Sequence, residues 1–373
     1  MQHLSTLLPM TRKGFLRGLV AGCIAGTFSR RDHAMEGLSS AGASLLIPYP
    51  AKPWTQATRI VGARPQVPLA GLRGQAPGFD RTPLFNDFCM TQSGDGRWHC
   101  IGILFEGHSP GDFRQNRLFH FVSDAVDGPY QSVGYVDLGY GKEDGVWAPC
   151  IVRDGHRTLM YYAHAQKGGM SIRFAQAEDA RLEKWHRSTG HDEIAMSEQG
   201  RRDPQIIKDG RTGKWLMYYV CSVKSGNDQQ AVVRVRASPD LMKWSEPQTV
   251  LGSPPGYGSA ESVFVLQEKG HYYMWVSNSG DYGVMSLYVS NDPFDFGDAA
   301  ANRIEEQRGH AAEIVRADGR YWIACVAIAS IPGLDTAQHH DLPIAQHDLE
   351  GVWIQPLEWR TATDAMKAKV FKG

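Results

Sequence analysis

The chain has 373 residues, of which 42% are hydrophobic and 21% charged, and its formal net charge is -1. A chain of this length and composition can bury a large core and shows no signature of disorder. The small net charge and the lack of a basic run exclude a nucleic acid as an expected partner and favour a small neutral ligand.

The first 35 residues differ in composition from the rest of the chain. Basic residues within positions 12–17 precede a short apolar segment, 18–26, that is rich in small residues, and this order resembles a twin-arginine export signal. We therefore expect a leader over 1–35 and a periplasmic or secreted protein; the alternative is a cytoplasmic protein that keeps its leader. No segment approaches the ~20 apolar residues needed to span a bilayer. Residues 36–79 are expected to be a linker and the approach to the first repeat.

From residue 80 onward, one sequence unit recurs five times. Each copy has an apolar strand, a turn rich in Gly and charge, and a strand rich in aromatic residues, and two further strands follow. Equivalent positions of the second strands are 61, 56, 57 and 49 residues apart, namely Trp98, Leu159, Trp215, Tyr272 and Tyr321. Four strands per unit at a near-constant period predict an all-β protein, a five-bladed β-propeller over 80–373. Segments 342–346 and 351–354 are expected to close the fifth blade.

Acidic residues stand at the start of several of the first strands. When these strands are aligned through their apolar runs, the entrance positions are Asp87, Ala148, Asp203, Glu261 and Ala311. The first strand of each propeller blade lies beside the central axis, so the three carboxylates are expected to share one funnel. A single Asp before Pro is often only a residue that favours a turn. Several acids at inner positions, however, repel each other and lose hydration, so their presence there indicates a functional role.

Crowded carboxylates suit the cleavage of a glycosidic bond. One must be protonated to donate to the leaving oxygen, and another must be ionised to activate water or to attack carbon. Negative charge nearby raises the pKa of one of them and so separates the two roles.

Six motifs together resemble those of the five-bladed glycoside hydrolases of families 43 and 32. They are Asn86-Asp87, Trp147-Ala148-Pro149, Arg202-Asp203-Pro204, Ser238-Pro239-Asp240-Leu241-Met242-Lys243-Trp244, Ser259-Ala260-Glu261-Ser262 and His310-Ala311-Ala312-Glu313-Ile314. The resemblance implies that Asp87 is the general base or nucleophile, that Asp203 tunes the pKa of the acid and orients it, and that Glu261 is the general acid.

The motifs also depart from both families. Glu261 is followed by Ser262, where fructosidases have Cys and family 43 has Gly-Pro or Ala-Pro. The Trp147-Ala148-Pro149 motif and the lack of an appended sandwich look more like family 43, which implies an inverting hydrolase. The alternatives are a retaining β-fructosidase-like hydrolase or transferase, and a propeller that binds glycans without cleaving them.

Four further residues are candidates for binding the carbohydrate substrate: Asn86, Trp147, Arg202 and His310. Trp147 is either a sugar-stacking platform or part of the core, and Asp80 competes with Asp87 as the base. No cofactor is expected to be required, although in the resembling enzymes a His at this position sometimes lies beside a cation, which allows a structural cation near His310. We expect a monomer.

Overall fold

The computed structural model describes residues 44–50, 55–56, 84–105, 117–141, 144–155, 157–167, 169–225, 228–252, 260–278, 283–326 and 352–371. They belong to one compact unit, Ser44–Gly373. The predicted leader over 1–35, Asp80 and segment 342–346 lie outside the described residues. Within those ranges, no helix has the length and apolar character to cross a membrane.

The described strands form five antiparallel sheets, and each of the first four sheets is made of four strands that follow one another in sequence. Blade 1 consists of β3 (Leu84–Gln92), β4 (Trp98–Phe105), β5 (Leu118–Ser123) and β6 (Gln131–Val136). Blade 2 consists of β7 (Gly145–Asp154), β8 (Arg157–Gln166), β9 (Gly169–Ala177) and β10 (Trp185–His186). Blade 3 consists of β11 (Gln199–Lys208), β12 (Trp215–Ser225), β13 (Asp228–Ser238) and β14 (Gln248–Leu251). Blade 4 consists of β15 (Ala260–Glu268), β16 (His271–Asn278), β17 (Val284–Ser290) and β18 (Arg303–Arg308).

The fifth sheet joins the two ends of the described chain. It contains β19 (His310–Ala317), β20 (Arg320–Val326) and β21 (Trp353–Thr361), with β1 (Leu46–Pro50) as its outer strand and β2 (Thr55–Gln56) also paired to β21. A short helix, α1 (Asp364–Lys369), follows. The prediction of an all-β, five-bladed propeller is confirmed.

Two described strands within 36–79, the segment predicted to be a linker and the approach to the first blade, belong to the fifth sheet. β1 pairs antiparallel with β21, from Leu46 opposite Thr361 to Pro50 opposite Leu357, and β2 pairs with the start of β21. Without β1, the strand β21 would leave a row of backbone groups unpaired at the edge of the sheet, and β1 pairs with them. The ring of blades is therefore closed by a strand that precedes blade 1 in sequence.

Blades pack against each other on both faces, which explains the long apolar runs of their second strands. Consecutive residues of β8, from Leu159 to Ala163, are all buried, as are those of β12 from Leu216 to Cys221. Buried tyrosines in these strands place their hydroxyls on backbone carbonyls, for example Tyr161 on Leu241 at 2.6 Å. Such packing holds the innermost strands of neighbouring blades in fixed positions around the axis.

Candidate active site

Each innermost strand contains a β-bulge, and the bulges occupy equivalent positions in the five blades. In each bulge one residue has a positive φ, between 31° and 55°: Asp87, Ala148, Asp203, Ser262 and Ala311. This conformation is unfavourable for residues with a Cβ. Because it recurs at the equivalent position of all five blades, the bulge is a regular feature of this fold and not a local irregularity. We call these five residues the bulge ring.

The expected alignment is wrong by one residue in blade 4. Ser262, not Glu261, has the bulge conformation there, and Glu261 lies one position earlier. The alignment could not detect the offset because the apolar run of blade 4 spans four residues, Val263 to Leu266, and matches the two-residue runs Ile206-Ile207 and Ile314-Val315 at more than one position. Glu261 therefore belongs to a second set, the preceding ring, made up of Asn86, Trp147, Arg202, Glu261 and His310.

Ser262 joins the two aspartates of the bulge ring. Its backbone N–H donates to Asp203 Oδ2 at 2.9 Å, and its hydroxyl donates to Asp87 Oδ1 at 2.6 Å. The buried His310 places Nε2 at 3.3 Å from Ser262 Oγ and at 3.5 Å from Asp87 Oδ1. Residues from four blades thus meet at one point on the axis.

Arg202 connects the remaining carboxylate to this group. Its Nε lies 3.6 Å from Asp203 Oδ2, and its Nη2 lies 3.7 Å from Glu261 Oε1. Nη2 also donates to the carbonyl of Ala260 at 2.9 Å, which fixes the guanidinium beside Glu261. The structure therefore brings Asp87, Asp203 and Glu261 together, with one arginine between the last two.

Burial and mutual repulsion raise the proton affinity of this cluster. The pKa of Asp203 is raised from 3.8 to about 7, first by burial and then by Asp87 and Glu261, although Arg202 opposes the shift. The pKa of Glu261 is also raised, by burial and by Asp87, against His310 and Arg202. The pair of Asp203 and Glu261 therefore retains a proton near neutral pH. Glu261 has a side chain 31% exposed, so a ligand in the funnel can reach it.

The other two predicted binding residues, Asn86 and Trp147, belong to the preceding ring and lie on the innermost strands of blades 1 and 2. Asn86 is buried, with Nδ2 at 3.5 Å from Asp87 Oδ2. Trp147 is partly buried and packs against the core cluster between these blades. Its indole lies so close to Gly145 that a Cβ there would come within 2.8 Å of the ring, so only glycine fits. Its use as a stacking platform stays a prediction.

A small cavity lies against the carboxylates of Asp87 and Asp203. It has a volume of about 30 Å³, which accommodates about two water molecules. Its polar lining includes Asp87, Asp203, Ser262 and Glu313. Burial raises the pKa of Glu313 well above its usual range, although the backbone N–H of Met90 donates to it at 3.4 Å.

Sequence reasoning missed both Ser262 and Glu313 as parts of the site. The only signal for Ser262 was its place directly after Glu261, and Glu313 was hidden within the apolar run of β19. Among the residues that the structure describes, no group of three or more His, Cys, Asp or Glu side chains could hold a metal ion. The cation near His310 therefore stays a prediction.

Comparison with known proteins gives one family and one fold. Residues 134–361 match the family described as Glycosyl hydrolases family 43. No curated protein sequence matches the chain. A thermostable family-43 glycoside hydrolase is similar in structure, with 15% identity, a TM-score of 0.53, and coverage of 75% of this chain and 95% of that one.

Two further solved structures are similar to the same extent. One is a β-xylosidase/α-arabinofuranosidase of family 43 from a compost microbial metagenome, in complex with xylotriose, with 13% identity, a TM-score of 0.53, and coverage of 74% and 92%. The other is a family-43 enzyme from Xanthomonas citri, with 14% identity, a TM-score of 0.52, and coverage of 74% and 88%. At these identities, the likeness establishes the propeller fold.

Proposed function

Because this chain belongs to glycosyl hydrolase family 43 and is a glycosidase, we propose that it hydrolyses its carbohydrate substrate with inversion, using Glu261 as general acid and Asp87 as general base. The observation that carries the proposal is the convergence of Asp87, Asp203 and Glu261 at the axis, where Ser262 and Arg202 link them. Two of these acids have raised pKa values, as proton donation near neutral pH requires.

The proposed reaction needs only these side chains and water. Glu261 gives its proton to the glycosidic oxygen as the bond from that oxygen to the anomeric carbon breaks. Asp87 takes a proton from a water molecule whose oxygen forms the new bond to the anomeric carbon on the opposite face. Asp203 lies beside Arg202, which in turn contacts Glu261, and once Asp203 is ionised, above about pH 7, its negative charge favours the protonated form of the acid.

Family membership supports inversion over retention. In an inverting enzyme, water occupies the space between the two carboxyl groups, whereas a retaining enzyme uses Asp87 as a nucleophile and forms a covalent glycosyl intermediate. The retaining alternative, including a β-fructosidase-like hydrolase or transferase, therefore predicts a different product anomer.

We propose that the substrate contains xylose or arabinose. The support is the structural likeness to an enzyme named as a β-xylosidase/α-arabinofuranosidase and seen with xylotriose. The test is incubation with xylo- and arabino-oligosaccharides and aryl pentosides, with the product anomers followed by NMR from the first minutes. The matched control is Glu261→Gln, which keeps the side-chain shape and removes the proton. If the parent releases products of retained configuration, inversion is refuted; if it acts only on other sugars, the pentose proposal is refuted.

We also propose that the protein acts as a monomer outside the cytoplasm and needs no cofactor. The support is the export-like composition of residues 1–35 and a reaction that consumes only water. N-terminal sequencing of protein from the native host would refute export by finding an intact leader in the cytosol.

Light scattering measures the molar mass in solution and so tests whether the protein is a monomer. Treatment with a chelator tests whether a cation is needed, because removal of a structural cation near His310 would lower the melting temperature of the protein.

A further inference from the structure

We propose that Ser262 is a positioning residue that donates a hydrogen bond to the carboxylate of Asp87 and orients it toward water. This inference rests on the proposed function, in which Asp87 is the base. Ser262 lies in the bulge of β15 at a φ of 47°, directly after Glu261. In this conformation its backbone N–H donates to Asp203 Oδ2 at 2.9 Å, which leaves its side chain beside Asp87.

The contact with Asp87 has the length of a charge-assisted hydrogen bond. Ser262 Oγ lies 2.6 Å from Asp87 Oδ1, and hydroxyls bonded to carboxylates lie at about 2.5–2.7 Å. His310, whose side chain is 0% exposed, approaches the same oxygen with Nε2 at 3.5 Å. One side of the Asp87 carboxylate is therefore enclosed by a hydroxyl donor and a buried imidazole.

The second oxygen of Asp87 is engaged far less. Within the described part of the chain, its hydrogen-bond partner is Asn86 Nδ2, at the outer limit of 3.5 Å. The side chain of Asp87 remains 17% exposed, so the carboxylate is accessible. With Oδ1 held by Ser262, Oδ2 is the oxygen that accepts the proton of the attacking water. Ser262 keeps its own proton throughout the reaction.

The crowding of charge explains why Asp87 needs such a donor. Charged and titratable groups surround it from the other innermost strands: Cys150 on β7, Arg202 and Asp203 on β11, Glu261 on β15, and His310 and Glu313 on β19. Several of these are acids that disfavour a further negative charge nearby. A hydroxyl that donates to the Asp87 carboxylate offsets this effect.

The test uses Ser262→Gly together with Ser262→Ala. Both remove the hydroxyl and keep the backbone N–H that donates to Asp203. Glycine also adopts positive φ without strain, so Ser262→Gly is expected to be at least as stable as the parent. We expect kcat to fall about 10- to 100-fold with little change in KM, as for loss of one hydrogen bond to a charged group, and the acidic limb of the pH profile to move to higher pH.

A matched control is Ser290→Ala, in a buried serine whose hydroxyl donates to the carbonyl of Asp295, outside the carboxylate cluster. This variant is expected to lose stability and to keep the parent's pH profile. A Ser262→Gly enzyme with the parent's kcat and pH profile would overturn the proposal.

A second measurement needs no substrate. The carboxyl carbons of the aspartates are labelled and followed by NMR as the pH is changed. Among the aspartates of the cluster, the titration midpoint at the lowest pH is expected to lie at higher pH in Ser262→Gly than in the parent. An unchanged titration overturns the role of Ser262 even if the parent is active. Conversely, a shifted titration in a protein that hydrolyses none of the tested glycosides supports the role of Ser262 in the cluster and refutes the proposed function alone.

Discussion

Replacing Asp203 with Asn is expected to stabilise the folded protein at alkaline pH while lowering its activity. Burial, together with Asp87 and Glu261, raises the pKa of Asp203 from 3.8 to about 7 in the folded state. Below pH 4 the carboxyl is protonated in both the folded and the unfolded chain, so it costs no stability. Between about pH 4 and pH 7 the unfolded chain releases this proton while the folded protein keeps it. The destabilisation therefore grows through this window and is complete above pH 7.

The size of the effect follows from the shift in pKa. A difference of about 3 units at about 1.4 kcal/mol per unit corresponds to about 4 kcal/mol of unfolding free energy. This is a ceiling, because Arg202 loses its carboxylate neighbour Asp203 in the variant. Asn can still accept the hydrogen bond from the backbone N–H of Ser262, so the geometry of the bulge is kept.

The assay is denaturant unfolding of the parent and of Asp203→Asn at pH 4 and pH 8. We expect a small difference at pH 4 and a more stable variant at pH 8, by up to about 4 kcal/mol. In activity assays, the alkaline limb of the variant's profile should move to lower pH, because the negative charge that Asp203 carries above about pH 7, which opposes the ionisation of Glu261, is absent; Asp87 still raises the pKa of Glu261. A variant that is no more stable than the parent at pH 8 would refute the reasoning.

Asp209→Asn is the matched control with the opposite sign. Asp209 is also buried, but hydrogen bonds from Thr212 and Tyr272 outweigh the effect of burial and lower its pKa. Its ionised form therefore stabilises the fold at pH values above the pKa of the unfolded chain, and this stability is lost as pH falls through the folded pKa. At pH 8, Asp209→Asn should be less stable than the parent.

Three further predictions concern the proposed acid, the proposed base and a buried histidine pair. Glu261→Gln should reduce turnover of substrates with poor leaving groups by about 10²- to 10⁴-fold, and that of activated aryl glycosides far less; equal losses in kcat/KM would argue against Glu261 as the acid. Asp87→Ala should abolish turnover of both substrate types, and measurable activity would argue for another base. His99 and His120 are buried, 2.7 Å apart between Nδ1 and Nε2, and have pKa values lowered to about 4 and about 3, first by burial. The parent should therefore lose stability as pH falls from about 6.5 toward 4, because only the unfolded chain takes up these protons, and His120→Gln should flatten that slope in unfolding curves.

Local pattern was enough to predict the blades and the meeting of the carboxylates. Strand type follows from apolar and aromatic runs between turns, and these repeat five times in the sequence. The innermost strands of a propeller share one axis, so acids near their starts converge whatever the details of packing. This is why the sequence alone predicts that Asp87, Asp203 and Glu261 lie together.

The remaining features depend on contacts between segments that are far apart in sequence. β1 was predicted as a linker because nothing in Leu46–Pro50 indicates that it pairs with a strand more than 300 residues later. In the bulge of β15, Ser262 and not Glu261 has the positive φ and so belongs to the bulge ring. The position of a bulge depends on the hydrogen bonds to the partner strand and not on the hydrophobic pattern. The hydroxyl of Ser262 reaches Asp87 across 175 positions of sequence, a contact that exists only once the five blades have closed.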